Sequence, residues 1–180
     1  MQILSSVLCI AGSACIIGST LIKGEKMKQI LFLVFCANFL VATGYLVGGS
    51  GINGAASCYL GAGQAIVNYF FESKNKPLPK WLLAIYAASF IIVNLWFGGF
   101  NLLCLLAIVA TLVFVLCIAQ KNGSRYRFWT LVNVILWCSY DIFSKSFGAL
   151  FTHVPQLFFA VVGMVWHDAG KKNKECANGR

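Results

Sequence analysis

The run LLCLLAIVATLVFVLCIAQ, residues 102–120, decides the fold of this chain. It carries no charged side chain and is close to the ~20 residues that a helix needs to cross the hydrocarbon core of a bilayer. Backbone N–H and C=O groups in lipid must bond within their own segment, so the run is predicted to be a membrane-spanning helix. Uncharged residues 98–101 precede it, whereas Lys121, Arg125 and Arg127 follow it.

Six further apolar runs lie outward from this one along the chain. They cover residues 3–22, 29–47, 55–71, 81–97, 128–143 and 148–166. The 180 residues are 59% hydrophobic and 11% charged, with a mean hydropathy of +0.80, which is too apolar for a soluble domain. We therefore predict an all-α polytopic membrane protein with seven transmembrane helices and the lipid bilayer as its partner.

The basic residues alternate between the connections. They are Lys23, Lys26 and Lys28 after the first run, Lys74, Lys76 and Lys80 after the third, Lys121, Arg125 and Arg127 after the fifth, and Lys171, Lys172, Lys174 and Arg180 after the seventh. Only Lys145 lies in another connection. The positive-inside rule predicts an outside N-terminus and a cytoplasmic C-terminus. The same pattern explains the net charge of +9 without a nucleic-acid partner.

The sequence contains an internal similarity between residues that lie 95 positions apart. The identical pairs include Lys26 and Lys121, Asn38 and Asn133, Tyr45 and Tyr140, and Val67 and Val162. The shift places helices one to three on helices five to seven with the same orientation, a parallel repeat of the kind found in transporters. We predict a 3+1+3 arrangement: residues 1–73 form the first three-helix repeat, 74–98 a linker and the fourth helix, 99–168 the second repeat, and 169–180 a basic cytoplasmic tail.

Residues 137–156 concentrate ionisable and polar groups in an otherwise apolar region. Asp141 lies late in helix six and His153 early in helix seven, at a shared depth on either side of a short turn. Ionisable groups within a membrane span are costly and indicate function, here a proton-sensitive gate or the polar wall of a cavity. The alternative is that Asp141 pairs with Lys145 four residues on, and that His153 reaches water.

The other polar and aromatic residues of the predicted membrane helices each have two interpretations. Trp137 and Tyr140 share a face beside Asp141 and either line a solute pocket or pack in the core. Pro155 bends helix seven beside Gln156, either at a cavity or as a simple kink.

Amides at mid-membrane depth form two further candidate pairs. Gln64 and Asn68 lie on one face of helix three and either hydrogen-bond a solute or hold helices together. Asn38 and Asn133, the repeat-related pair, fit a shared fold contact better than a substrate site.

Enzyme signatures are absent from the sequence. It has no glycine-rich phosphate loop and no HExxH metal site, and it has only two histidines. Most of the eight cysteines lie inside apolar runs, where Cys behaves as a small hydrophobe. We expect no catalysis, no cofactor and no bound metal.

The chain resembles the YgjV family of bacterial inner-membrane proteins in three features. They are the run LWCSYD from Leu136 to Asp141, the short turn after it, and an apolar helix seven with a basic tail. Residues 54–56, reading GAA, and 64–66, reading QAI, are also similar. The resemblance implies a multi-pass protein of the bacterial plasma (inner) membrane. The seven-helix plan is similar to SWEET sugar transporters, PQ-loop proteins and PnuC-type vitamin transporters, which implies alternating access around a central site. Unlike PQ-loop proteins, this chain has its Pro-Gln pair in helix seven, so their functional residues do not carry over.

The function expected from these observations is transporter-like movement of a small polar solute between two three-helix bundles. The candidate substrate-binding residues are Gln64, Asn68, Trp137, Tyr140, Asp141, His153 and Gln156. The alternative is a non-transporting membrane scaffold or partner subunit whose polar residues only pack helices. A homo-oligomer is a possible assembly in either case.

Overall fold

A computed structural model describes residues 2–22, 26–48, 52–144 and 147–169, with side chains at all of these except 52–53, 147–151 and 168–169. The seven α-helices are α1 Gln2–Leu21, α2 Met27–Gly48, α3 Ile52–Ser73, α4 Lys80–Gly98, α5 Leu102–Ile118, α6 Gly123–Phe143 and α7 Phe147–Met164. A π-helical turn, Val165–Ala169, continues α7. No strand occurs in the described ranges, so the prediction of an all-helical chain is confirmed there.

Local chemistry explains several helix ends. The Asn101 side chain precedes α5 and accepts a hydrogen bond from the Cys104 N–H, and Asn122 does the same for Ser124 at the start of α6. Gly99 ends α4 with a φ of 67°, a left-handed conformation that glycine adopts without strain. These caps satisfy backbone groups that have no partner inside the helix.

The helices pack largely in chain order. Helix α2 lies between α1 and α3, and α6 lies between α5 and α7. Helix α4 contacts α3 and α5, while α1 packs against α7. The chain is therefore a closed bundle in which helices from the two ends of the sequence are neighbours.

Glycines allow the closest approaches in this bundle. A Cβ atom on Gly12 of α1 would lie 2.6 Å from the Val41 side chain of α2. A Cβ atom on Gly163 of α7 would lie 2.5 Å from the Thr20 carbonyl oxygen of α1. Small residues at helix crossings let backbones approach closely, the usual device in membrane bundles.

Apolar side chains cover the outer faces of the helices. Among the described residues, α1, α2 and α4 are long and apolar enough to cross a membrane, and α5 is a shorter apolar helix. Large exposed side chains such as Ile3, Ile92 and Trp96 suit a lipid surrounding, since they would be costly to expose to water.

The helix bounds match the apolar runs within a few residues, with one larger difference. Helix α6 begins at Gly123 rather than 128 because Asn122 caps it and the basic residues that follow belong to its first turns. The predicted run 148–166 ends as α-helix at Met164. The described residues do not include Lys23, Lys145, the connection at 49–51 or the predicted tail from 170 onward.

Candidate functional site

A cavity of about 690 Å³ lies in the middle of the bundle. Its lining comes from all seven helices. The residues are Gly12, Ser13 and Ile16 of α1; Ala37, Asn38, Val41 and Tyr45 of α2; Gly54, Ser57 and Cys58 of α3; Phe90 and Asn94 of α4; Ala107, Thr111, Phe114 and Cys117 of α5; Tyr126, Thr130, Asn133, Trp137, Tyr140 and Asp141 of α6; and Thr152, His153 and Gln156 of α7. A cavity of this size is large enough for a small molecule.

Asp141 and His153 meet in the cavity wall. The Asp141 Oδ2 atom lies 2.6 Å from the His153 Nδ1 atom, which joins the end of α6 to the start of α7. Asp141 is only 2% exposed, whereas His153 is partly exposed. A buried carboxylate needs such a partner because an unpaired charge in a low-dielectric region is costly. The two residues share a depth, as the sequence predicted, and they face one another.

Two aromatic rings lie beside this pair. The Trp137 ring stacks on the His153 ring with centroids 6.0 Å apart and an interplanar angle of 18°. Tyr140 meets Trp137 edge to face, with ring centroids 5.5 Å apart. Trp137 thus lies beside the imidazole, one helical turn from Asp141.

Neutral amides occupy other parts of the wall. The Asn133 side chain donates to the Ala110 carbonyl of α5 at 2.6 Å, and the Asn38 side chain donates to the Val34 carbonyl of its own helix at 2.9 Å. Gln156 lines the cavity one turn beyond Thr152 and directly follows Pro155. The Asn pair therefore belongs to the cavity wall while Asn133 also links two helices.

Gln64 and Asn68 do not line this cavity. Their side-chain nitrogens donate to the carbonyls of Val115 at 3.5 Å and Ile118 at 2.8 Å, near the end of α5. Both residues are buried, and the Gln64 Oε1 and Asn68 Oδ1 atoms have no partner among the described residues. These contacts are the ones expected of amides that hold α3 against α5.

Sequence reasoning missed a polar cluster at the opposite end of the cavity. The Tyr126 hydroxyl lies 2.7 Å from the Ser19 hydroxyl, and Arg127 donates to the Ile22 carbonyl at 3.0 Å. The His167 Nε2 atom lies 2.8 Å from the Leu21 carbonyl oxygen. These side chains join the end of α1 to the start of α6 and the turn after α7. The only signal in the sequence was the pair of basic residues at 125 and 127, which the sequence analysis assigned to a connection.

Metal binding finds no support in the described part of the chain. It holds no group of three or more His, Cys, Asp and Glu side chains that could ligate an ion. The seven described cysteines are all free thiols.

A family model described as Imp-YgjV, bacterial inner membrane protein, matches residues 5–170. Neither a curated protein nor a solved structure matches the chain. The matched segment contains every described residue of the cavity wall and of the cluster around Arg127.

Proposed function

The chain belongs to the Imp-YgjV family of bacterial inner membrane proteins, and from that premise we propose that it moves a small polar solute across this membrane by alternating access. The observation that carries the proposal is the central cavity of about 690 Å³, walled by all seven helices. Polar groups at membrane depth usually face a bundle interior or a water-filled cavity that serves a solute. A scaffold does not need such a space.

The positions of the wall residues support a pathway between two repeated halves. Several wall residues pair at the 95-residue shift, so that each half contributes the equivalent position. The pairs are Gly12 and Ala107, Ile16 and Thr111, Asn38 and Asn133, Tyr45 and Tyr140, Ser57 and Thr152, and Cys58 and His153. A site at the interface of two repeats is the arrangement that transporters with internal symmetry use.

The proposed topology is the 3+1+3 arrangement with residues 1–73 and 99–168 as the two repeats. The neighbour relations of the helices support it, because α3 touches α5 over a small area and α7 packs against α1 over a larger one, as equivalent positions in two repeats would. Helix α4 would connect the halves within 74–98, with the N-terminus outside and the tail at 169–180 inside. The cluster around Arg127 would then lie on the cytoplasmic side and the Asp141–His153 pair on the outer side.

In this mechanism the two bundles rock about the cavity. The bonds from Ser19 to Tyr126 and from Arg127 to Ile22 cross between α1 and α6, one helix from each proposed half. They would hold the cytoplasmic side closed in the described conformation. Breaking them and repacking the outer side would expose the solute to the cytoplasm.

The test is a solute screen on the purified protein in detergent, followed by uptake into proteoliposomes. We expect at least one small polar solute to raise the unfolding midpoint of the wild type. The cavity variant Thr111→Leu should lose this shift, while Val109→Leu on the outer face of the same helix keeps it. A screen in which no solute stabilises the protein, or in which bound solutes are not taken up, would contradict transport.

The second candidate function is a non-transporting membrane scaffold or partner subunit. The contacts of Gln64 and Asn68 with the end of α5 favour it, since these polar residues pack helices and avoid the cavity. It predicts that Asn133→Leu and Asn68→Leu both lower the abundance of folded protein and that neither the wild type nor a variant takes up solute. Transport instead predicts that only the cavity variant changes uptake.

A further inference from the structure

The ionisable side chains of the cavity wall are unevenly distributed. Among the described residues that line it there is one carboxylate, Asp141, and no Lys or Arg. His153 can donate its Nδ1 hydrogen to Asp141 while neutral, and the wall then keeps one negative charge. Because that charge is buried, it interacts strongly with any charge brought into the cavity.

The aromatic rings next to Asp141 also favour a positively charged ligand. The faces of the Trp137 and Tyr140 rings carry partial negative charge and attract cations over the ring. Trp137 lies one turn from Asp141 on α6, and Tyr140 is its neighbour in sequence. A cationic group in the cavity would therefore lie near the Asp141 carboxylate and the Trp137–Tyr140 ring pair, in which one Trp137 face is already covered by the His153 ring.

The rest of the wall suits an uncharged, partly apolar body. Phe90 and Phe114 contribute rings that meet edge to face with centroids 6.4 Å apart, and Asn133 and Gln156 contribute amides. Such a surface stacks a planar ring and offers it hydrogen bonds. An anionic ligand would find no described Lys or Arg side chain in the wall and would be repelled by an ionised Asp141.

From these features we infer that the cavity takes small organic cations, with the charged group beside Asp141 and Trp137 and the apolar part toward Phe114. The inference rests on the proposed function, because it names the chemical class of the solute. It also explains why the two proposed repeats differ in charge. The position equivalent to Asp141 in the first repeat is Leu46, so only the second repeat supplies a carboxylate.

The test uses ligands that share a ring and differ in charge. One set is benzyltrimethylammonium, benzyl alcohol and benzoate, and the other is N-methylquinolinium, quinoline and quinoline-4-carboxylate. Binding to the full chain in lipid nanodiscs is measured by titration calorimetry. We expect each cation to bind about tenfold or more tightly than its neutral counterpart, because a carboxylate and aromatic rings attract its charge, and the anions to bind most weakly.

Variants test which residues cause the preference for cations. Asp141→Asn should reduce the cation-to-neutral affinity ratio about tenfold, and Trp137→Leu should weaken cation binding about tenfold. Ser139→Ala, on α6 between them and outside the wall, should leave the ratio unchanged. The ratio is measured within each variant, so a loss of folded protein does not alter it, and Asp141→Glu should retain the preference.

Two results would overturn the inference. One is that no cation of either set binds more tightly than its neutral counterpart in the wild type. The other is that the preference survives Asp141→Asn unchanged. If neutral or anionic ligands bind instead and Thr111→Leu abolishes their binding, the proposed function stands and only the charge class is wrong. If no ligand binds and no solute stabilises the protein in the screen, both the charge preference and the proposed transport function are wrong.

Discussion

At the scale of single residues, the polar side chains of this chain divide into two groups. Gln64 and Asn68 bind the backbone of a neighbouring helix away from the cavity. Asp141, His153 and Gln156 line a space that is large enough to hold a solute. The sequence could identify all five as unusual, because polar groups in apolar runs are easily seen. It could not separate the two groups, since an apolar helix in lipid gives little periodic signal of which face points inward.

Gly163 gives a prediction at the residue scale. A methyl group at this position would lie 2.5 Å from the Thr20 carbonyl oxygen, so Gly163→Ala should force α7 away from α1. We expect a loss of about 1–3 kcal/mol, the usual cost of overpacking, seen as a lower unfolding midpoint of the purified protein. Gly63→Ala is the control because no atom lies within 4 Å of its added methyl group. Equal midpoints for the two variants would show that α1 and α7 are not closely packed there.

At the scale of helices, the sequence predicted the seven elements well because each lies on a long, mostly uncharged apolar run. It placed the start of α6 five residues late, at 128 instead of Gly123. The error has a physical cause: Arg125 and Arg127 look alike in sequence, but Arg125 is exposed and Arg127 is 2% exposed. Only the contacts of Tyr126 and Arg127 with the end of α1 tell the two arginines apart.

The two arginines give a matched test of how the end of α1 is held. Arg127 donates to the Ile22 carbonyl, just beyond the helix, where a positive charge also complements the helix dipole. Arg127→Ala should therefore cost about 1.5–3 kcal/mol, the usual cost of losing a hydrogen bond to a charged group. Arg125→Ala removes the same charge from an exposed site and should change stability by less than about 0.5 kcal/mol.

Chemical denaturation of both variants in the same detergent is the measurement. A large loss in Arg125→Ala, or none in Arg127→Ala, would contradict the role assigned to the buried arginine.

At the scale of the whole molecule, the prediction of an all-helical chain is confirmed in the described ranges, whereas the 3+1+3 arrangement from the 95-residue shift and the orientation from the charge alternation stay predictions. The sequence could not predict the cavity, because its wall is assembled from all seven helices and depends on their rotations. The alternative pairing of Asp141 with Lys145 lies outside the described residues, because Lys145 is not among them. The described partner of Asp141 is His153.

The orientation in the membrane is a prediction that reporter fusions can check. The positive-inside rule places Lys121, Arg125 and Arg127 in the cytoplasm and the connection at 98–101 outside. A fluorescent protein fused after Arg180 should fluoresce, and alkaline phosphatase inserted after Phe100 should be active. The reverse pattern of activities would mean that the whole topology is inverted.

The central claim is that a water-filled, solute-sized cavity lies between the helices. The most direct measurement is the reactivity of single native cysteines, retained one at a time with the others replaced, toward a charged, membrane-impermeant methanethiosulfonate. Cys58 and Cys117 line the cavity, whereas Cys36 on α2 does not. The account predicts that Cys58, which is only partly buried, reacts measurably faster than Cys36, that a bound solute slows it, and that Cys117, only 3% exposed, reacts more slowly than Cys58. If all three are equally unreactive in folded protein, the cavity is not open to water and the account is wrong.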